Sequence, residues 1–285
     1  MKKFAVLSDS GCNIPPEFSK AHGVYILPLK LDFGGKTYRD GVDVTSEQVY
    51  DIMPKELPKT SLPTGAEVTA MFDQIRADGY TELLCVTLSS QLSGTNNILR
   101  LMAEEYEGLT VRLVDSKNIA IGAGFVSMYA QSLAEAGETL KSAHQKVMER
   151  IYESRVFFCV DTLEYLRKGG RIGGVASFLG TRLNLKPIIT CNKEGVYYTA
   201  SKSRGKKQAV EKMISLAKEH VKGAAAYRIC VSNGGAVKAE IGAFQKQVKA
   251  AFPDAAEVHY TDISPTLGVH TGPGLLGLGV QILAQ

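Results

Sequence analysis

The chain has 285 residues, 45% of them apolar and 22% charged, and a net charge of +4, which is the composition of an ordinary soluble globular protein of one or two domains. No apolar run approaches the ~18 residues of a membrane-spanning helix, and the run from Phe4 to Leu7 is too short for a secretory signal. Five scattered cysteines without CxxC spacing argue against a disulfide framework and a zinc site and fit a reducing cytoplasm, so we expect a cytoplasmic protein. We also expect no metal and no other cofactor.

The first half of the chain alternates strand and helix patterns. Short buried-strand runs occur at residues 4–7, 83–86 and 111–114. Thr64 and Glu67 have the spacing of a capping box, and the apolar residues from Val68 to Ile75 recur at helical spacing directly after it. Further helices are predicted around Ile98, over 119–134 and after residue 140. Strands regularly separated by helices predict a parallel, doubly wound sheet.

The second half has a different pattern. A strand is predicted at 156–160, and the runs at 188–191 and 196–200 flank a loop with Gly195, which is typical of a β-hairpin. A long amphipathic helix follows, and then strand, helix and strand patterns at 229–232, 236–252 and 258–262. We therefore predict an α/β protein of two domains: residues 1–155 around the parallel sheet and residues 156–285 with an α+β fold.

Three polar turns follow strands of the predicted parallel sheet: Ser8-Asp9-Ser10, residues 89–95 and Asp115-Ser116. Ligands of such sheets gather at the carboxyl ends of the strands. In the middle turn, Ser93 and Thr95 stand at the start of a helix, whose free N–H groups favour an anion. The alternative is that one of the two hydroxyls only caps its helix. The density of hydroxyl groups favours a ligand site.

Two further candidates lie far apart in the sequence. Thr60 and Ser61 precede the capping residue Thr64 and are spare hydroxyls, unless they belong to a solvated loop. His270 stands among glycines and a proline that predict a tight loop, whereas the other four histidines fall in helix or strand patterns and are interpreted as structural. A Ser93–His270–Asp9 triad stays open, although GxSxG and GxxxxGK[ST] motifs are both absent from the sequence.

Charge is distributed unevenly along the chain. Residues 1–150 carry a net charge of −4 and residues 151–285 a net charge of +8, with ten basic residues and one acid between Arg167 and Lys207. Such a stretch is either a solvated face or a surface that meets an anion, such as a phosphate, a nucleotide or an acidic partner protein. Nucleic acid is disfavoured, because few aromatic residues interleave with the charges.

In order along the chain, these motifs resemble those of the DegV family, the bacterial fatty-acid-binding proteins that include the FakB-type subunits of fatty acid kinase. The matching segments are Ser8-Asp9-Ser10, Thr60 to Pro63, Leu88 to Thr95, Val114 to Ser116, Leu163 to Gly173 and His270 to Gly274. The sequence departs from the family pattern at Leu62, where glutamine is usual, and at Thr64, where serine is common.

The resemblance implies a carrier that holds one long-chain fatty acid in a buried tunnel and presents its carboxylate to a separate kinase for acyl-phosphate formation in phospholipid metabolism. The carboxylate would be bound by Thr60, Ser61, Ser93, Thr95 and His270. Arg171 and Arg204, expected away from the hydroxyl turns, would dock the kinase. Two other functions stay open: an esterase or acyltransferase that uses Ser93 and His270, and a phosphate or nucleotide sensor that uses the basic stretch.

Overall fold

A computed structural model describes residues 4–178 and 185–285. Within these two ranges, the chain forms thirteen strands and ten α-helices. In chain order, the strands are β1 Ala5–Asp9, β2 Tyr25–Leu27, β3 Lys30–Phe33, β4 Lys36–Arg39, β5 Lys59–Ser61, β6 Glu82–Thr87, β7 Thr110–Asp115, β8 Ser154–Cys159, β9 Leu185–Cys191, β10 Tyr197–Arg204, β11 Ala226–Gly234, β12 Glu257–Asp262 and β13 Leu275–Ala284. The helices are α1 Pro16–His22, α2 Ser46–Ile52, α3 Gly65–Ala77, α4 Thr95–Glu105, α5 Ala120–Glu135, α6 Leu140–Arg150, α7 Glu164–Lys168, α8 Gly205–His220, α9 Lys238–Ala251 and α10 Pro265–Thr271.

The first sheet is parallel throughout, with the strand order β2-β1-β6-β7. Alternate residues of β1 and β6 pack on opposite faces, against α5 on one side and against α3 and α4 on the other. The capping box at the start of α3 is present, because Thr64 Oγ1 accepts from Glu67 N–H and Glu67 accepts from Thr64 N–H. The predicted doubly wound parallel sheet is therefore confirmed.

The second sheet has six strands in the order β10-β9-β8-β13-β11-β12, with α8 and α9 packed on one face. The predicted hairpin is β9–β10, and its loop contains Gly195 at a φ of +89°. Sequence analysis did not predict β13, which lies between β8 and β11. The glycines of β13 interrupt the strand pattern in the sequence. At Gly279 a glycine is required by packing, because a Cβ there would overlap Ile121 of α5.

A third, small sheet with the order β4-β3-β5 also lies outside the sequence prediction. Leu31 of this sheet shares an apolar cluster with Val49 of α2 and Val269 of α10. The tight loop predicted around His270 is wrong, because these residues form helix α10. Ser264 caps that helix by accepting from Leu267 N–H, Pro265 occupies its first turn, and Gly272 ends it at a φ of +70°.

One apolar core joins the first and second sheets. It contains Phe125 of α5 together with Val156, Tyr197, Ile263 and Leu275 from the second half of the chain. The domain boundary that we predict after residue 155 falls within β8 and stays a prediction. In the described ranges, no helix has the length and apolar character needed to cross a membrane.

Candidate functional site

A cavity of about 180 Å³ lies where the small sheet, the β6–α4 loop and α10 meet. One part of its lining is polar and the remainder is apolar. The lining residues are Leu29, Thr60, Ser61, Leu62, Leu88, Leu92, Ser93, Gly94, Ile119, Arg171, Tyr197, Thr266, Leu267, His270 and Thr271. The fold thus brings together four of the five predicted carboxylate-binding residues.

Thr60 and His270 form the first polar pair of this cavity. Thr60 Oγ1 of β5 lies 3.0 Å from His270 Nε2 of α10. Because successive side chains of a strand point to opposite faces, Ser61 is directed away from this pair. Its hydroxyl donates to Asp32 Oδ2 at 2.7 Å instead. The structure therefore does not bring the Ser61 hydroxyl to the cluster, although Ser61 contributes to the cavity wall.

Ser93 and Thr95 form the second polar pair. Their hydroxyl oxygens are 2.8 Å apart, and Ser93 Oγ accepts from Thr95 N–H at 3.3 Å. Ser93 lines the cavity, whereas Thr95 is fully buried behind it and is not among the lining residues. The cap position of α4 is occupied by Gly94, without a side-chain cap. Thr95 thus holds the Ser93 hydroxyl in place rather than facing the cavity itself.

Arg171 supplies the positive charge of the cavity wall. Its Nε donates to Leu92 O at 3.2 Å, and its Nη1 donates to Gly169 O at 2.7 Å. These two bonds fix the guanidinium beside the hydroxyl residues, so the expected separation of Arg171 from the hydroxyl turns is wrong. The signal that the sequence offered was the glycine-rich turn after α7, which lets the chain bend back to the β6–α4 loop.

Arg204 occupies a different position. It is exposed at the end of β10, outside the cavity lining, and its N–H donates to Gln208 at the start of α8. Its neighbour Lys206 pairs with Asp161 at 3.3 Å and with Glu240 at 2.7 Å. Part of the basic stretch is therefore neutralised by local ion pairs. Residues 179–184 of this stretch lie outside the described residues.

The environment of His270 keeps its ring neutral. Burial, together with the positive charge of Arg171, lowers its pKa to about 4. Its Nδ1 is buried without a hydrogen-bond partner in the described residues and packs against Gly169, where a Cβ would overlap it. The cavity therefore offers hydroxyls, a neutral imidazole and one fixed cation, a set that suits a small group with one negative charge.

A second, smaller cavity of about 20 Å³ continues the site into the core. It shares Ile119, Tyr197, Leu267 and Thr271 with the first cavity. Its further lining is almost entirely apolar and consists of Ala120, Val156, Phe158, Ser232, Ile263, Leu275 and Gly277. Polar groups thus stand at one end of the site and apolar walls at the other, which fits an amphipathic ligand.

Helix α10 contributes a set of wall residues that sequence analysis missed. Thr266, Leu267 and Thr271 line the first cavity together with His270. Their spacing places them on neighbouring turns of one helix. The Ser264-Pro265 pair, a common helix start, was the signal that could have revealed this helix and its cavity-facing side.

The open possibility of a Ser93–His270–Asp9 triad is not supported by the geometry. Each of the three side chains is bonded elsewhere: Ser93 to Thr95, His270 to Thr60, and Asp9 Oδ2 to Leu88 N–H at 3.0 Å. Within the part of the chain that the structure describes, no group of three or more His, Cys, Asp or Glu side chains could hold a metal ion.

Known proteins with similar sequences and folds define the family. A family model described as "Uncharacterised protein, DegV family" matches residues 3–282. A DegV domain-containing protein of Clostridium acetobutylicum is 36% identical over 283 residues, which are 98% of each chain. A solved fatty-acid-binding DegV family protein from Thermus thermophilus is 29% identical at a TM-score of 0.91 and covers 99% of this chain and 100% of its own. A stearic-acid-binding protein from Eubacterium ventriosum, also 29% identical, gives a TM-score of 0.86 with 98% of both chains covered.

The fold and the site together define an α/β protein that encloses a cavity, polar at one end and apolar at the other, between a parallel and a mixed sheet. The family model covers nearly the whole chain, and the sequence relative matches end to end. The chain belongs to the DegV family.

Proposed function

We propose that this protein binds one long-chain fatty acid, with the carboxylate in the first cavity and the acyl chain along the apolar second cavity. The observation that carries this proposal is the position of Arg171, Ser93 and Thr60 at one end of a site whose other end is apolar. The similar structures from Thermus thermophilus and Eubacterium ventriosum, described as fatty-acid-binding, support it.

The energetics favour such a ligand. A tail of about 15 methylenes at ~0.8 kcal/mol each gives ~12 kcal/mol of gross burial before the costs of association. A buried carboxylate needs several donors, and the Ser93 and Thr60 hydroxyls together with the Arg171 guanidinium can provide them.

The acyl chain also requires the cavities to widen. Their volumes of about 180 and 20 Å³ fall below the ~300 Å³ at which ligand pockets begin. The four side chains shared by the two cavities stand where the tail would pass, so we expect Tyr197 and Leu267 to change position when a fatty acid is bound.

Native mass spectrometry of the purified protein, combined with organic extraction, tests the proposal. We expect about one non-covalent fatty acid per chain. A covalent acyl adduct would instead favour the esterase or acyltransferase, and a bound nucleotide would favour the sensor. Folded protein that carries no lipid and does not bind added fatty acid would contradict the proposal.

Ser93→Ala tests the site of the carboxylate. Loss of a charge-assisted hydrogen bond should weaken fatty acid binding by roughly 1.5–3 kcal/mol. Ser215→Ala is the matched control, because Ser215 is exposed on α8 and is not among the lining residues of the cavity. Equal affinities of the two variants would remove Ser93 from the site.

We further propose that the protein is a cytoplasmic carrier that presents its fatty acid to a separate kinase, with Arg204 docking that partner. The sequence has no phosphate-binding loop of its own, so the nucleotide would be bound by the kinase. Arg204→Ala should retain the fatty acid and lose most acyl-phosphate formation with a fatty acid kinase and ATP. Lys222→Ala, which removes a cation whose side chain is 76% exposed, should behave as wild type. Wild-type phosphorylation by the Arg204 variant would refute docking there.

Arg171 is expected to behave differently from Arg204. Its guanidinium is part of the cavity wall, so Arg171→Ala should lower fatty acid binding as well as phosphorylation. Retention of the lipid with loss of phosphorylation alone would return Arg171 to a role in meeting the kinase.

A further inference from the structure

Ser232 contributes a hydroxyl to the mostly apolar wall of the second cavity. Ser232 of β11 lines this cavity and is only 2% exposed. Two other side chains of the lining carry a hydroxyl: Thr271, whose Oγ1 donates to Leu267 O at 3.0 Å, and Tyr197. Of these three hydroxyl oxygens, that of Ser232 is buried without a hydrogen-bond partner in the described residues.

The Ser232 hydroxyl lacks a strong partner within the protein. No hydrogen bond of acceptable geometry reaches its Oγ from the described residues. Its polar neighbour is the Cys230 thiol, two residues earlier on the same face of β11; burial raises the pKa of this thiol to about 12, and Ser232 partly offsets that effect. A thiol is a weak donor and acceptor, so the hydroxyl remains poorly paired. A buried hydroxyl in that state is costly unless a ligand or a water pairs with it.

A trapped water could pair with Ser232 in this cavity only by also bonding to the hydroxyl of Thr271 or Tyr197. A cavity of about 20 Å³ can hold one water at most, and a buried water needs two to four polar partners. The surrounding side chains of Ile119, Val156, Phe158 and Leu275 offer none. An oxygen atom carried on a ligand avoids this problem, because the ligand is held by its own tail and head group.

The space beside Ser232 comes from a glycine. Ser232 pairs with Gly277 of β13, and a Cβ at Gly277 would lie 3.3 Å from Ser232 Cβ and 3.6 Å from Phe158 Cβ. An alanine could therefore be accommodated with a small adjustment while it occupies part of the cavity. Gly277→Ala thus changes the room for the tail without removing the hydroxyl, which makes it a matched control for Ser232→Ala.

We propose that Ser232 recognises a hydroxyl group on the acyl chain, so that the preferred ligands are hydroxylated long-chain fatty acids. Ser232 can act in this way only if the cavities hold an acyl chain, as proposed above. An unsubstituted chain would leave the Ser232 hydroxyl in an apolar environment without a partner. A chain hydroxyl at the same depth would both donate and accept, and it would satisfy Ser232 and itself at once.

A competition experiment tests this specificity. Wild type, Ser232→Ala and Gly277→Ala are each exchanged with an equimolar mixture of stearate and one hydroxystearate, and native mass spectrometry measures the ratio of the two bound acids. The 3-, 10- and 12-hydroxy isomers are used in turn, because the depth of Ser232 along the chain selects the isomer. In wild type, we expect one isomer to exceed stearate by about tenfold, which is the worth of one well-placed hydrogen bond to a buried group.

The variants separate the hydroxyl from the space around it. Ser232→Ala should lose the preference for that hydroxystearate isomer over stearate. Gly277→Ala should weaken the binding of all the acids but retain this preference. If wild type and Ser232→Ala bind every isomer in the same ratio to stearate, recognition by Ser232 is refuted while fatty acid binding stands. If neither stearate nor any hydroxystearate binds to wild type, the proposed function itself is refuted.

Discussion

His270 should make the stability of the lipid-free protein depend on pH in a predictable direction. Burial and Arg171 lower the pKa of His270 from 6.5 to about 4, so the unfolded chain takes up a proton in this interval that the folded chain does not. The contribution of the neutral His270 ring to the free energy of unfolding is therefore fully present above pH 6.5 and is lost as the pH falls through about 4. The difference between the two pKa values corresponds to on the order of 3 kcal/mol of folding free energy.

A buried carboxyl group opposes this effect in part of the same interval. Burial raises the pKa of Asp9 from 3.8 to about 7, and burial also raises the pKa of Asp40. The stability linked to Asp9 is fully present below pH 3.8 and is lost as the pH rises through about 7. The pH dependence of the unfolding free energy of wild type is thus a sum of opposing contributions. A variant is needed to isolate the contribution of His270.

The assay is urea unfolding of lipid-free protein at a series of pH values between 4 and 7.5, on wild type, His270→Gln and the control His144→Gln. His144 lies on α6 with its Nε2 3.1 Å from Leu113 O, and it is not among the lining residues of the cavity. The stability of His270→Gln relative to wild type should improve by most of the 3 kcal/mol as the pH falls from 6.5 to 4. His144→Gln is the control for the loss of a histidine outside the cavity lining.

The same measurement on loaded protein connects His270 with the ligand. A carboxylate beside the ring would favour the protonated form and raise the pKa of His270. The difference between wild type and His270→Gln should therefore shrink in the presence of bound fatty acid. Parallel curves for wild type and His270→Gln without lipid would refute the buried neutral ring, and an unchanged difference with lipid would place the carboxylate elsewhere.

Two further substitutions test the walls of the first cavity. Gly169→Ala should abolish most fatty acid binding, because the new Cβ would overlap His270 Nδ1. The control Gly242→Ala on α9 has open space around its Cβ and should be neutral or stabilise the fold by ~0.5–1 kcal/mol. The measurements are the amount of lipid retained per folded chain and the melting temperature. Thr95→Val should weaken fatty acid binding by about 1 kcal/mol through loss of the bond that orients Ser93, with rescue by Thr95→Ser, and an unaffected Thr95→Val variant would show that Ser93 needs no support.

Elements with a clear local sequence pattern are those that the sequence predicts correctly. The capping box at Thr64 and the helical spacing after it identified α3, and alternation of strands and helices identified the parallel sheet. The strands β2 to β5 are only three or four residues long, too short to show a period. β13 was missed because its glycines mark close packing rather than a turn: Gly279 lies against α5, and Gly277 lies against Ser232 and Phe158.

For the candidate site, the sequence predicts which residues take part but not which side chains face the cavity. The hydroxyl-rich turns and the resemblance to the DegV family together selected Thr60, Ser93 and His270, which all line one cavity. Whether a given hydroxyl faces that cavity depends on the strand register, which directs Thr60 to His270 and Ser61 to Asp32. The position of Arg171 depends on a turn after α7 that carries the chain back to Leu92 O. Neither register nor chain reversal is encoded in a motif of a few residues.

Helix α10 explains why the site requires both halves of the chain. Its start is held by the first half: Asn13 Oδ1 accepts from Ser264 N–H at 2.6 Å, and Asp40 Oδ1 accepts from Thr266 N–H at 2.9 Å. Near its end, His270 meets Thr60, a residue 210 positions away in the chain. A fatty acid in the cavity would therefore contact elements that come together only in the complete fold. Because such a ligand binds the folded chain and not the unfolded one, its binding free energy adds to the stability of the contact between the two halves.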